Sequence, residues 1–192
     1  MLSLEQGSLL VKMAREAIRG EEKKHSEEFL KEKSGVFVTL YSFPDRTLRG
    51  CIGFPYPVKP LGEAVREAAR AAAFEDPRFF PVSPEELDKI VIEVSVLSEP
   101  ERLDCRPEER PEHIVIGKHG VIIKKGPYSG LLLPQVAVEY NLGPEEFLSD
   151  ACLKAGVEAS AWKDFDTMVY LFTAQVFSEE EPNGKVVEED MG

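Results

Sequence analysis

Hydrophobic and polar positions alternate with a period that changes from block to block along the chain. Leu10, Ala14, Ala17 and Ile18 recur at helical spacing, which predicts an opening helix with one face turned inward. Ser3 and Gln6 precede it at the spacing of a capping box, in which each side chain takes up an orphan backbone amide. Residues 20–34 are mostly charged, with only Phe29 and Leu30 to bury; they read as a continuation of that helix or as a solvated linker. The β-branched and aromatic run Val36–Tyr41 predicts a strand covered on both faces. A turn at Pro44-Asp45-Arg46 returns the chain as a second strand over 47–54. Pro60 opens a helix with Leu61, Ala64, Val65, Ala68, Ala69 and Ala72 inside, and Asp76-Pro77 ends it. Ser83-Pro84-Glu85-Glu86 is a second capping box, with proline at the first helical position, ahead of a strand over 90–97.

The second half repeats this order. Apolar runs at 113–116 and 121–124 flank Gly117-Lys118-His119-Gly120, which predicts a hairpin turning on those four residues. Leu131-Leu132-Leu133 follows, then a short helix over 134–140. Phe147, Leu148, Ala151, Cys152 and Ala155 mark a further helix face, closed by Gly156. The last strand runs over 168–177. Each half reads strand, strand, helix, strand, and hairpins require antiparallel pairing. The expected fold is α+β, a mixed and largely antiparallel sheet with helices, in two unequal lobes. Residues 1–178 form one domain of two lobes, and the acidic stretch 179–192, with Pro182 and Gly184, reads as a loose tail.

Composition narrows the function classes. The chain has 192 residues, 43% of them hydrophobic, enough to bury a real core. Lys and Arg number 23 against 35 acids, a formal charge of −12, which disfavours phosphate backbones and anionic membranes as partners. No run approaches the roughly 18 apolar residues of a membrane span. Glu5, Lys12, Arg15 and Glu16 interrupt any signal-peptide core. Cys51, Cys105 and Cys152 are odd in number and widely spaced. They suit neither a disulfide framework nor a zinc site and fit a reducing cytosol. Glutamate supplies 27 of the 35 acids and Asn plus Gln only 5, a composition pointing to a heat-adapted source.

The chemistry concentrates in Leu48-Arg49-Gly50-Cys51-Ile52-Gly53. Strand alternation puts Arg49 and Cys51 on one face, with α-carbons roughly 6–7 Å apart, and Leu48 and Ile52 on the other. A guanidinium beside a thiol favours the thiolate. Gly50 and Gly53 weaken a strand, so a bulge or the close approach of another backbone or a ligand is expected there. Cys51 also reads as a small hydrophobe in a packed sheet. On the strand over 90–97, Glu93 shares a face with Ser95. It pairs with Arg49 if the two strands are neighbours and faces water if they are not. His25 in the linker, His113 at a strand start and His119 in a hairpin turn are the available imidazoles, and nothing in their spacing places one at Cys51. Asp76-Pro77-Arg78-Phe79 reads as a helix stop that can also aim Arg78 back at the site. Cys152 reads as core, and Trp162 as a plug of a loop onto the core.

The hexapeptide Leu48–Gly53 resembles the signature of the AMMECR family, named for the Alport syndrome, intellectual disability, midface hypoplasia and elliptocytosis chromosomal region. The resemblance extends through Asp76-Pro77-Arg78-Phe79, Glu93-Val94-Ser95-Val96-Leu97, Gly117-Lys118-His119-Gly120, Leu131-Leu132-Leu133-Pro134-Gln135-Val136-Ala137 and Lys154-Ala155-Gly156. It implies a two-lobed α+β fold, a cytosolic protein, and a signature strand near a cleft. It also implies Memo-like and radical-SAM proteins as partners, and it assigns no reaction. The combined expectation is a small-molecule or peptide-binding cleft around Leu48–Gly53. Its enzymatic form uses Cys51 and Arg49 as catalytic groups, with Gly50, Gly53, Arg78, Glu93 and His119 binding ligand and no metal or cofactor. The alternative is a non-catalytic protein-interaction module.

Overall fold

The elements run α1 (Leu4–Ile18), β1 (Gly35–Ser42), β2 (Thr47–Phe54), α2 (Leu61–Phe74), β3 (Ile90–Leu97), β4 (Glu101–Arg102), β5 (His119–Lys125), β6 (Tyr128–Leu132), α3 (Pro134–Glu139), α4 (Pro144–Ala155), β7 (Met168–Glu179) and β8 (Val186–Glu189). They are seen in a computed structural model that describes residues 1–21 and 23–189. The fold is α+β, and the strand pairings described below are antiparallel. Over the described residues the chain divides into two compact units, Met1–Leu97 with residues 175–189, and Ser98–Ala174. Among the described residues, no helix is long and apolar enough to cross a membrane.

In the first unit the strand order is β2-β1-β3-β7, and β8 also pairs with β7. Strand alternation turns Val36, Val38 and Leu40 of β1, with Ile90, Ile92, Val94 and Val96 of β3, toward the helices. There they share one core with Leu10, Ala14, Ala17, Leu61, Val65 and Ala68. The capping box forms at the start of α1: Ser3 Oγ accepts the Gln6 amide at 3.3 Å, and Gln6 Oε1 accepts the Ser3 amide at 2.8 Å. At the second predicted box only the return bond forms, the Ser83 amide donating to Glu86 Oε2 at 2.8 Å while the Ser83 side chain makes no cap hydrogen bond, and a short 3-10 helix follows over Pro84–Lys89.

A buried ion pair joins α1 to the end of β7. Arg15 Nε and Nη2 grip Glu179 Oε1 and Oε2 at 2.9 and 2.5 Å, and Arg15 also donates to the carbonyls of Leu87 and Ile90. This overturns the loose tail expected from residue 179. Glu179 ends β7, and Val186–Glu189 return as β8 in register with Val176–Glu179. Backbone pairing and a buried counter-ion order a stretch whose composition alone favours solvent; Asp190–Gly192 lie outside the described residues. Residues 20–34 do not continue α1 either. Gly20 takes φ +71°, and the segment is fastened by His25 Nε2, 2.7 Å from buried Glu16, and by Arg66 donating to the Lys23 carbonyl at 2.7 Å. Among the described residues of this stretch, Glu28–Lys31 form a 3-10 turn.

In the second unit β5 pairs with β6 and with the first part of β7, and β4 pairs with β7. The expected hairpin at Gly117–Gly120 is displaced: residues 113–116 form no strand, and the turn falls at Gly126-Pro127 between β5 and β6. Upstream, Pro107–His113 coil into a 3-10 helix holding Pro107 and Pro111, neither of which has an amide to give a ladder. Helix α4 buries Phe147, Leu148, Ala151 and Cys152 against Val121, Ile123 and Leu132, and Gly156 caps it in the left-handed conformation. Trp162 is buried and donates from Nε1 to Ser149 Oγ at 3.1 Å, so it does plug its loop onto this core. Buried Arg110 holds the same loop through the carbonyls of Trp162, Asp164 and Thr167.

Candidate functional site

Strand β2 is the edge of the first unit's sheet, and β1 separates it from β3. Thr39 of β1 stands opposite Cys51 on one side and Glu93 on the other. The three side chains therefore form a row, on the face opposite Val38 and Leu40. Thr39 Oγ1 donates to Cys51 Sγ at 3.3 Å. The Cys51 backbone groups point away from β1, toward the open edge. Thr39 and Cys51 are thus a non-hydrogen-bonded pair, the kind whose side chains come closest.

An edge strand leaves amides and carbonyls unpaired unless something covers them. At Cys51 the cover is the turn after α2. Asp76 Oδ2 accepts the Cys51 amide at 2.9 Å, and Arg78 Nη2 donates to the Cys51 carbonyl at 3.3 Å. Asp76 also grips Arg78 in a fork, with Nε to Oδ1 at 2.9 Å and Nη2 to Oδ2 at 2.7 Å, and accepts the Arg78 amide. The Arg78 guanidinium, helped by the two amides, holds the buried Asp76 carboxyl down at about 2 against the opposing effect of burial. In return the Asp76 hydrogen bond raises the proton affinity of Arg78, and the charges of Asp76 and Cys51 add to the rise.

Because the folded carboxyl has the lower pKa, its stabilisation is present above the unfolded value near 3.8 and is lost as the pH falls through about 2. Asp76→Asn is expected to cost about 1–2 kcal/mol at neutral pH, the half-exposed partner being partly screened by water. Denaturant unfolding at several pH values checks this; the gap between wild type and variant should narrow on acidification from pH 4 toward 2.

The other expected site residues are distributed differently from the sequence reading. The β1–β2 register slips between Leu40 and Tyr41, whose partners are Gly50 and Leu48, so Arg49 is the extra residue of a bulge. Leu48 consequently shares the Tyr41 and Cys51 face and is exposed, where strict alternation put it with Ile52. Ile52 does pack against the core. Arg49 bonds Glu86 through Nε and Nη2 at 2.9 and 3.3 Å and holds that carboxyl below the usual range. It does not pair with Glu93, because β1 intervenes. Nor does Glu93 face water: it is buried, with Arg46 Nη2 3.9 Å away.

The glycines have structural causes. A Cβ on Gly50 would stand 2.1 Å from the Ala72 carbonyl of α2, and one on Gly53 would collide with the backbone and ring of β1 at Val36 and Phe37. The close approach is therefore made by the protein's own backbone. His119 opens β5 in the second unit instead of sitting in a hairpin turn. Its Nδ1 accepts the Val115 amide at 3.1 Å, and burial with Lys118 nearby pushes its pKa down. Thr39, Asp76, Glu86 and Arg46 escaped the sequence reading as site residues. For Asp76 the signal lay in Asp76-Pro77-Arg78, whose helix-stop reading was incomplete. The remaining thiols, Cys105 and Cys152, are both pushed up by burial. Among the described residues, no group of three His, Cys, Asp or Glu could hold a metal ion.

The sequence model of the AMMECR1 family matches residues 11–177. Protein MK0488 of Methanopyrus kandleri is 52% identical over 199 residues, covering 99% of this chain and 96% of the relative. A protein of Aquifex aeolicus is 53% identical over 163 residues, covering 83% and 84%. The crystal structure of the uncharacterized protein PH0010 from Pyrococcus horikoshii superposes with a TM-score of 0.92 at 49% identity, covering 97% of each chain. These relatives come from thermophiles, in line with the charge-rich composition.

Proposed function

The chain belongs to the AMMECR1 family, and from that premise we propose that Leu48–Gly53 forms a ligand-binding surface on which Cys51 is a reactive thiol toward a small-molecule or peptide electrophile. The observation carrying this reading is the placement of two groups around one half-buried cysteine. The Thr39 hydroxyl donates to Sγ at 3.3 Å, and the Arg78 guanidinium stands at the Cys51 carbonyl at 3.3 Å. A hydroxyl donor and a cation both favour sulfur as an anion, and the thiolate is the nucleophilic form.

The backbone narrows the class of electrophile. Acyl transfer needs amide donors aimed at a developing oxyanion. The Cys51 amide is already given to Asp76, and Ile52 lies in the ladder with Val38. The reading therefore favours attack that builds no oxyanion, as at a disulfide sulfur or a saturated carbon.

Alkylation with iodoacetamide from about pH 5 to 10, read at each cysteine by peptide mass spectrometry, tests the reading. Near neutral pH, Cys51 is expected to label about tenfold faster than Cys105 or Cys152, the internal controls. A Cys51 that labels no faster than Cys105 across the range would sink the proposal.

A further inference from the structure

Arg78, from the connection after α2, is hydrogen-bonded to Cys51. Arg49 is committed to Glu86 through two hydrogen bonds. Arg78 reaches the Cys51 carbonyl, yet its side chain is 54% exposed and a long side chain in that setting samples many rotamers. What removes that freedom is Asp76. Its side chain is nearly fully buried and bonded at once to the Cys51 amide and to three nitrogens of Arg78. The planar fork admits one orientation of the guanidinium, and Pro77 between the two residues stiffens the backbone.

We propose that Asp76 is the positioning residue of this site, fixing Arg78 against Cys51 so that Arg78, and not Arg49, sets the reactivity of the thiol. The inference rests on the reactive-thiol reading above and deepens it. The charged groups around Cys51 are Asp76 and Arg78 from the connection after α2, Glu93 from β3 across Thr39, and Arg49 with its partner Glu86. Asp76 carries a negative charge of its own, which by itself disfavours a neighbouring thiolate. Removing that charge with no other change would speed labelling of Cys51. Releasing Arg78 would slow it. The two roles thus predict opposite signs for one substitution.

The test is the pH profile of iodoacetamide labelling at Cys51 in the full chain, for wild type, Asp76→Asn, Asp76→Glu and Arg78→Gln. Positioning predicts that Asp76→Asn raises the half-labelling pH by about one unit, about a tenfold slower rate on the rising limb. Asp76→Glu should recover part of the shift, and Arg78→Gln should reproduce it. A role confined to folding lowers the unfolding midpoint and leaves the profile in place. Should Asp76→Asn fail to fold, Arg78→Gln, at a half-exposed position, must still show the shift. An unchanged or accelerated profile in Asp76→Asn, or an unchanged one in Arg78→Gln, overturns the inference while a reactive wild-type Cys51 leaves the reading beneath it standing. An inert wild-type Cys51 overturns both.

Discussion

Arg15→Met is expected to cost about 3–5 kcal/mol of folding stability, because it strands a buried carboxylate without its counter-ion. Glu179 is only 3% exposed, and Arg15 supplies two of its hydrogen bonds; the Ile92 amide supplies another at 2.9 Å. The substitution also leaves the carbonyls of Leu87 and Ile90 without the guanidinium that bonds them. The loss therefore reaches α1, the entry to β3 and the end of β7 together. Removing both charges should be far milder than removing one. In the double variant Arg15→Met/Glu179→Leu no uncompensated ion remains, and apolar groups of similar size often replace a buried pair at little cost. Guanidinium unfolding of the wild type and the two variants measures both effects. A single-variant loss under about 1 kcal/mol would mean that Glu179 finds another route to neutrality.

Gly50→Ala is expected to destabilise the protein by about 3 kcal/mol, the upper range for overpacking, because the new methyl has no soft neighbour to displace. Its Cβ would sit 2.1 Å from the Ala72 carbonyl oxygen, which is helix backbone and cannot rotate aside. Helix α2 must slide off β2, opening contacts among Val65, Ala68, Ala69 and Ala72 in the core. Because Asp76 follows two residues after the end of α2, the same displacement should move the Asp76–Arg78 fork and alter labelling of Cys51. Unfolding curves paired with the labelling assay check the two consequences in one variant. Gly50→Ala with wild-type stability would show that the approach of α2 is not what requires glycine here.

The local signals were strong where one element decides its own structure. Ser3 with Gln6 announces a helix start, Gly156 a helix end, and the alanines of α2 a face thin enough to lie close on a sheet. Signals that depend on a neighbour were weaker. The period-two argument across Leu48, Arg49 and Cys51 assumes a regular strand, but the bulge arises from pairing with β1 and moves Leu48 to the other face. Arg49 and Cys51 stand out in the sequence as an unusual pair, yet their partners, the Glu86 carboxylate for the Arg49 side chain and the Asp76–Arg78 fork for the Cys51 backbone, come from a segment more than twenty residues downstream. The acidic run from Glu179 misled for the same reason. Its counter-ion is Arg15, in the first helix.

Side-chain periodicity, caps and turn residues are properties of neighbours along the chain. They were enough to establish an α+β protein, its principal helices and strands, and the hexapeptide around Cys51 as the place to look. Which strand lies beside which, where a ladder slips by one residue, and which charge meets which across the fold are properties of residues distant in sequence. These follow from burying every apolar face and pairing every edge amide at once. That requirement puts β1 between Cys51 and Glu93, and Asp76 against the Cys51 amide.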